Sequence, residues 1–424
     1  MPVGATRNAP AGSWLGQSLR SAQASLELFS VAGISPRWHC SQSTPAAAMM
    51  AGPASRALRG SKSAVNMHHR SRDLVVVLFL AMSVQRAAAD DVYTVVLETL
   101  APDVYLVRRP DPLREPVEPN AVFVVNEDDV VVFEGGGAPL VAERTIALIR
   151  SVTDKPVSHV INSHWHGDHN LGNQVYRAGF PDVRIVGHPE THAAMTGPPM
   201  AYVERYVPML AGLIDEWGGI REKGELSARR TELLPSLVLM RDELKRTIIE
   251  PPDLLISERL VLERGPREIH ILHPGRGNTA GDLVLWLPNE RILASGDLVV
   301  HPIPYGFGSF PADWIATLDR LAAFDFDVLV PGHGALQRDD AYIGRLQALL
   351  AEVRRQVRES VAADLDLEAT RKALDISAFV DEFAGDDEDA RLKFENWWRQ
   401  PIARSAWLEA RGEPIRQGAA DETG

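Results

Sequence analysis

The stretch that most constrains this chain is Ile161-Asn-Ser-His164-Trp-His166-Gly-Asp168-His169, with three histidines and one aspartate inside six residues. It follows Val157–Ile161, a short β-branched-rich run that reads as a buried strand. In an extended loop alternate side chains share a side, so His164 and His166 face one way and Trp165 the other. Asp168 and His169 then turn toward a second point a few ångströms away. Imidazole and carboxylate donors at two adjacent centres suit zinc, whose tetrahedral preference accepts both. A lone histidine would read as structural. Four ligand-type side chains packed at one strand end read as a metal centre.

The rest of the composition allows such a centre and removes some alternatives. The 424 residues are 45% apolar and 24% charged. This is ordinary globular composition with room for one large domain or two smaller ones, and it excludes whole-chain disorder, collagen and coiled coil. The single cysteine, Cys40, allows neither an intramolecular disulfide nor a cysteine-rich zinc site. The net charge of −13 is unevenly spread: residues 1–89 hold nine Lys/Arg and two Asp/Glu, and residues 90–424 hold 35 and 55. An acidic main body opposes a polyanionic substrate, so no nucleic-acid partner is expected, and it hinders approach to anionic membranes.

The basic N-terminal part reads as an address. Met67-His-His-Arg-Ser-Arg72 is a charged start, Leu74–Val84 an eleven-residue apolar run, and Ala87-Ala-Ala89 a small-residue cleavage site before Asp90. These are the three regions of a secretory signal peptide, at 67–89, and the apolar run is shorter than the ~20 residues a bilayer-spanning helix needs. The expected location is periplasmic or secreted, with no stable membrane insertion. Residues 1–66 are expected to be an unstructured extension, with translation starting at Met67 or, alternatively, with a transit-type leader.

From Asp90 short apolar runs predict strands at Val92–Leu97, Val104–Val107, Ala121–Val125, Val130–Phe133, Val157–Ile161 and Val183–Gly187. Val141–Ser151 has helical spacing. Residues 199–247, with Tyr202, Tyr206, Leu210, Leu213 and Trp217 at helical intervals, predict a helical insert of two or three helices. Strands return at Leu260–Leu262, Glu268–Leu272, Asp282–Leu287, Arg291–Ala294 and Val328–Val330. The chain from 339 to 410 reads as helices, marked by the stripe Ile343, Leu346, Leu350, Val353 and Val357. Residues 411–424 are expected to be a frayed polar tail.

Three later segments extend the His/Asp run into a known pattern. Gly275-Arg-Gly-Asn278-Thr-Ala-Gly281, Ser295-Gly-Asp297 and Val330-Pro-Gly-His333-Gly follow it in order. Together they resemble the metallo-β-lactamase superfamily over roughly Tyr93 to Gly334. The resemblance implies an α/β fold, the αββα metallo-β-lactamase sandwich, over 90–338, here with the helical insert 199–247 and C-terminal helices. It implies one metal site at His164, His166 and position 278, and a second at Asp168, His169 and His333, with Asp297 bridging. Where the family usually has histidine this chain has Asn278. An amide oxygen is a weaker zinc donor than imidazole, so the first site is expected to be underfilled, at one or two Zn2+ per chain. His273 or His301 could substitute only from outside the motif slot.

The function implied is a zinc-dependent hydrolase of a small carbonyl substrate (amide, ester, lactone or thioester) using metal-activated hydroxide, with Asp168 catalytic. Alternatives are a β-lactamase proper, a non-haem iron enzyme of persulfide dioxygenase type using His164, His166 and Asp297, and a non-catalytic periplasmic accessory protein with a lapsed site. Tyr202, Tyr206 and Trp217 could cap the site as a lid, and the aromatics of His301–Phe310 suit a loop beside the metals. No cofactor other than metal is expected, and the partner is a small-molecule substrate.

Overall fold

The computed structural model describes residues 91–418. The N-terminal segment 1–66 with Cys40, the segment 67–89 expected to be a signal peptide and the last residues of the tail lie outside the described residues.

Among the described residues twelve strands form two sheets. The first holds β1 (Val96–Ala101), β2 (Val104–Arg108), β3 (Ala121–Val125), β4 (Val130–Phe133), β5 (Val157–Ile161), β6 (Arg184–Gly187) and β7 (Leu254–Leu255), neighbours in that order. It is antiparallel up to β4 and parallel from β4 to β7. The second holds β8 (Arg259–Arg264), β9 (Arg267–Leu272), β10 (Val284–Leu287), β11 (Ile292–Ala294) and β12 (Val328–Val330), antiparallel except for the β11–β12 pair. Parallel neighbours need a crossover, and helices supply it. α1 (Pro139–Val152) joins β4 to β5, α2 (Asn173–Gly179) joins β5 to β6, and the helix Pro311–Ala322 joins β11 to β12.

The strands read as unbroken apolar runs because both of their faces are covered. On β4, Val131 and Phe133 enter the layer between the sheets, where they meet Ile269, Ile271, Leu285 and Val330. Val130 and Val132 face the other way, onto Ala142, Ile146 and Ile149 of α1. The outer face of the second sheet carries Val284, Leu293 and Leu329 against Trp314 and Leu318 of the 311–322 helix and against the 343–357 stripe. Helix, sheet, sheet and helix therefore form four layers, the expected sandwich.

Between β6 and β7 come α3 (Pro189–Met195), a 3-10 turn at Pro198–Ala201, α4 (Tyr202–Glu222) and α5 (Ala228–Arg246). α4 and α5 pair around their own core of Leu210, Leu213, Trp217, Leu234 and Leu237. The Ser227 hydroxyl caps α5 by accepting from Arg230 N at 3.3 Å, and Glu243 accepts from Leu140 N at 2.8 Å, which pins the pair to α1. After α6 (the 311–322 helix) the C-terminal part holds α7 (Ala341–Ala362), α8 (Leu367–Ala373), α9 (Ser377–Ala384), α10 (Glu388–Lys393), a π-helical turn Phe394–Arg399 and α11 (Gln400–Arg411).

Two expectations are corrected. The first strand starts at Val96, because Asp91–Tyr93 form a 3-10 turn whose Val92 and Tyr93 are buried with Ala138 and Val141 under α1. The tail does not fray as far as Gly418: Gln417 accepts from Ala280 N at 3.2 Å and donates to the Gly308 carbonyl at 3.2 Å. Those hydrogen bonds hold the segment after α11 against loops of the main body.

Candidate metal centre

The His/Asp run leaves the C-terminal end of β5, where Asn162 N still bonds the Val186 carbonyl at 2.9 Å. Asn162 and Asn173 then exchange side-chain hydrogen bonds at 3.1 and 2.8 Å, fixing the loop base. His164 and His166 share a side as alternation requires, with His164 Nε2 and His166 Nδ1 2.9 Å apart. Trp165 goes the other way, into a buried cluster with Leu171, Met195 and Met200. The 3-10 turn Gly167–His169 swings Asp168 and His169 to the second point.

The second sheet brings the remaining groups to the same edge. Asp297 sits in the 3-10 turn Gly296–Leu298 directly after β11, and His333 follows β12, the parallel neighbour of β11. The chain folds back closely there: Gly332 N donates to Gly296 O at 2.9 Å, and a Cβ at position 332 would collide with Asp297 Oδ1. The glycine before His333 is thus a steric requirement of the carboxylate beside it.

Two overlapping groups result. Asp168, His169, Asp297 and His333 have ligand atoms within 4.8 Å of one another, as do His164, His166 and Asp297. In the quartet, His169 Nε2 lies 3.3 Å from both Asp168 Oδ2 and Asp297 Oδ1, and His333 Nε2 lies 3.1 Å from Asp168 Oδ2 and 3.5 Å from Asp297 Oδ1. In the trio, His164 Nε2 is 3.7 Å from Asp297 Oδ2. Asp297 therefore offers one oxygen to each group. Both oxygens are buried without a hydrogen-bond partner. Burying a carboxylate so is costly unless something positive meets it, and an N/O donor set of this kind fits a divalent cation.

The electrostatics follow from burial and from the charges the cluster groups impose on one another. Burial, followed by the neighbouring His169 and His166, holds the His164 imidazole well below its usual range, so it is a neutral donor. Burial also dominates at His166 and lowers it. At Asp168 burial alone would favour the acid, yet His169 and His333 hold its carboxyl well below the carboxylate range. At His169 burial opposes charge, but Asp168, Glu134 and Asp297 together push the imidazole well up. The side chain of Asp168 is 21% exposed, while those of His169, Asp297 and His333 are at most 1% exposed. The cluster opens toward solvent at Asp168.

Several neighbours were not singled out in the sequence. Glu134 Oε1 lies 3.1 Å from His169 Nδ1, and Oε2 accepts from Ser163 N at 3.3 Å. Its backbone is in the left-handed region, at φ 81. The one acid closing the apolar strand Val130–Phe133 was the available signal. Ser163 Oγ is 2.8 Å from His164 Nδ1. Such outer contacts fix the tautomer and ring orientation of an imidazole donor. Glu118, 2% exposed, accepts from Gly137 N at 3.0 Å, and burial pushes its carboxyl up to about 8.

Asn278 is fully buried. Its Nδ2 donates to the Tyr305 carbonyl at 3.0 Å, and its Oδ1 has no partner. Neither His273 nor His301 belongs to the two groups: His273 Nδ1 pairs with Asp282 O at 2.8 Å, and the His301 ring packs on Tyr342. Of the insert aromatics, Trp217 fills the hairpin core, whereas the Tyr202 hydroxyl accepts from Gly167 N at 3.1 Å, directly on the His/Asp loop.

The chain belongs to the metallo-beta-lactamase superfamily, whose sequence pattern matches residues 114–333. It is 25% identical over 252 residues to a linear primary-alkylsulfatase of Pseudomonas sp., covering 55% of this chain and 44% of the relative. It is 28% identical over 129 residues to a metallo-beta-lactamase type 2 of Bacillus sp., covering 28% of this chain and 48% of the relative. The chain thus spans about half the length of these curated relatives. Among solved structures, a metallo-beta-lactamase from Pontibacter korlensis has a TM-score of 0.44 at 17% identity, over 61% of this chain and 99% of that one. Members of the superfamily are mostly metallo-hydrolases. Among the described residues no helix is long and apolar enough to cross a membrane.

Proposed function

We propose that this protein is a zinc-dependent hydrolase of a small substrate, exported by the 67–89 signal segment. The observation that supports it is the Asp297 carboxylate, shared between the His164/His166 pair and the Asp168/His169/His333 set with no hydrogen-bond partner on either oxygen. His164, His166 and Asp297 would hold one zinc, with Asn278 Oδ1 as a weak further donor; Asp168, His169, Asp297 and His333 would hold the other. Zinc supplies a water pKa near 7 and charge stabilisation at the electrophile. Asp168, at the open side of the cluster, would orient the attacking water. His169 is kept in register by Glu134, and His164 by Ser163.

The substrate is an amide, ester, lactone or thioester in the first reading. A second reading, a sulfate ester, is favoured by the alkylsulfatase match, which covers 55% of this chain against 28% for the β-lactamase match. The deciding experiment is metal analysis of protein purified without chelator, followed by nitrocefin, S-lactoylglutathione, an acyl-homoserine lactone and a linear alkyl sulfate. Zinc together with turnover of one of the first three supports the carbonyl reading, and turnover of the alkyl sulfate alone moves the substrate to sulfur. Iron in place of zinc supports the dioxygenase alternative. A protein with no metal and no turnover is the accessory protein.

A further inference from the structure

The chain that follows α11 turns back across the main body. Gly412, at φ 68, closes α11 in the left-handed conformation that favours glycine, and Glu413 N donates to the Leu408 carbonyl at 2.9 Å. Gln417 then reaches two distant loops. Its Oε1 accepts from Ala280 N and its Nε2 donates to the Gly308 carbonyl, both at 3.2 Å, with the Asn278 carbonyl at 3.5 Å. At Gly418 the backbone is seated on a third segment, because a Cβ there would collide with Pro199. Residues 413–418 lie outside the segment 114–333 that matches the superfamily.

Each of the three segments it touches reaches the metal centre. The 278–281 turn leads into Leu283, whose N donates to the Ser163 carbonyl at 2.8 Å, next to His164. The 305–308 loop carries Tyr305, whose ring packs on the His333 ring with centroids 5.2 Å apart. That loop is braced by the C-terminal helices, since Gly306 N donates to the Trp397 carbonyl at 2.8 Å and the Trp397 indole meets the Tyr305 ring edge-on at 5.4 Å. The 3-10 turn Pro198–Ala201 buries Met200 with Trp165, and the residue after it, Tyr202, accepts from Gly167 N. A side chain on Gly167 would collide with the Tyr202 hydroxyl, so this junction is closely fitted. A substrate whose reacting group meets the cluster has to lead the rest of its chain out past these loops.

We propose that residues 413–418 form a specificity-determining strap, pinned by Gln417, that bars extended chains from the outlet between the 278–281 turn, the 305–308 loop and the 198–201 turn. The site is thereby restricted to compact substrates. Gln417 ties two of the three segments together and Gly418 rests on the third, so the strap holds their spacing as well as crossing between them. Selectivity of this kind comes from a clash with the wrong ligand rather than from an added contact with the right one. This inference rests on the hydrolase reading above, and narrows its substrate to short-chain members of the class.

The test uses the full-length zinc-loaded protein and two tetrahedral probes, butylphosphonate and octylphosphonate, titrated by calorimetry. Burial of apolar surface by itself favours the longer chain. With the strap in place the order should be reversed, the butyl probe binding about 10-fold more tightly, within the discrimination a shaped pocket achieves. Gln417→Ala removes the pin, and Gly418→Val pushes the tail off Pro199 from the other end, so either variant holds the test open if its counterpart misfolds. Each should leave zinc content unchanged and raise octylphosphonate affinity about 10-fold relative to butylphosphonate. Amide exchange at Ala280 should quicken in Gln417→Ala. A segment that only stabilises the fold would change both probes alike. Wild type that binds neither probe, or does not favour the butyl one, overturns the proposal, as does a folded variant whose butyl-to-octyl ratio stays within twofold of wild type. Turnover of the substrate panel by wild type is read separately: its absence removes the hydrolase reading while the two probes still decide the role of the strap.

Discussion

The Asp168/His169/Asp297/His333 quartet and the His164/His166/Asp297 trio share one carboxylate but are built to different standards. Both draw on the two sheets, but the quartet has four charged or imidazole donors and is backed by Glu134 on His169. The trio has three such donors, and Asn278, which the family resemblance places at the fourth, already commits its amide nitrogen to the Tyr305 carbonyl. An imidazole at position 278 would give up that anchor. The difference teaches that Asn278 spends its amide nitrogen on a neighbouring loop, where the family pattern has a metal-binding imidazole.

Experiments can break or sharpen this contrast. Asp297→Ala removes the donor common to both groups, and metal content should fall to near zero with loss of turnover, as measured by plasma mass spectrometry and assay. If metal survives, the two groups do not depend on the shared carboxylate. Glu134→Gln leaves all donors in place but loosens His169, so metal affinity should fall about 10- to 100-fold in chelator competition, with the quartet losing its advantage over the trio.

Asn278→His should raise zinc from about one toward two per chain in a site that accepts imidazole. An unchanged ratio means the trio is not limited by that donor. The smallest effect concerns pH. The Glu118 carboxyl is raised from 4.5 to about 8, so the folded protein binds a proton that the unfolded chain has released. Stability from this group is complete below about pH 4.5 and is lost as pH rises through about 8. Glu118→Gln should therefore gain stability relative to wild type between pH 5 and pH 8.5. Urea melts of chelator-stripped protein give the slope, and a gap independent of pH would remove the buried-acid account.

The site was legible where the chemistry is local. Alternation alone puts His164 and His166 on one side and Trp165 on the other, and the structure shows this arrangement. Runs such as Ala121–Val125 and Val328–Val330 were readable because a strand covered on both faces must be apolar throughout. Val92–Tyr93 misled because burial beneath a helix selects the same residues as a strand does. Glu134 was missed because one acid after a strand carries no periodic signal; its role appears only when β4 and β5 lie side by side. Tyr305 stood out only as one aromatic among several in its loop. The frayed tail was expected from polarity, yet Gln417 finds partners on two distant loops.

The sequence by itself determined the donor types, their order and the class of layered fold, since these depend on residue chemistry, spacing of two along a strand, and runs of apolar side chains. Only the tertiary structure decided that Asp297 lends an oxygen to each group, that Glu134 stands behind His169, and that the C-terminal helices brace Tyr305. Those facts depend on which strand ends and loops meet in space, and contacts between residues tens to more than a hundred positions apart leave no trace in local pattern.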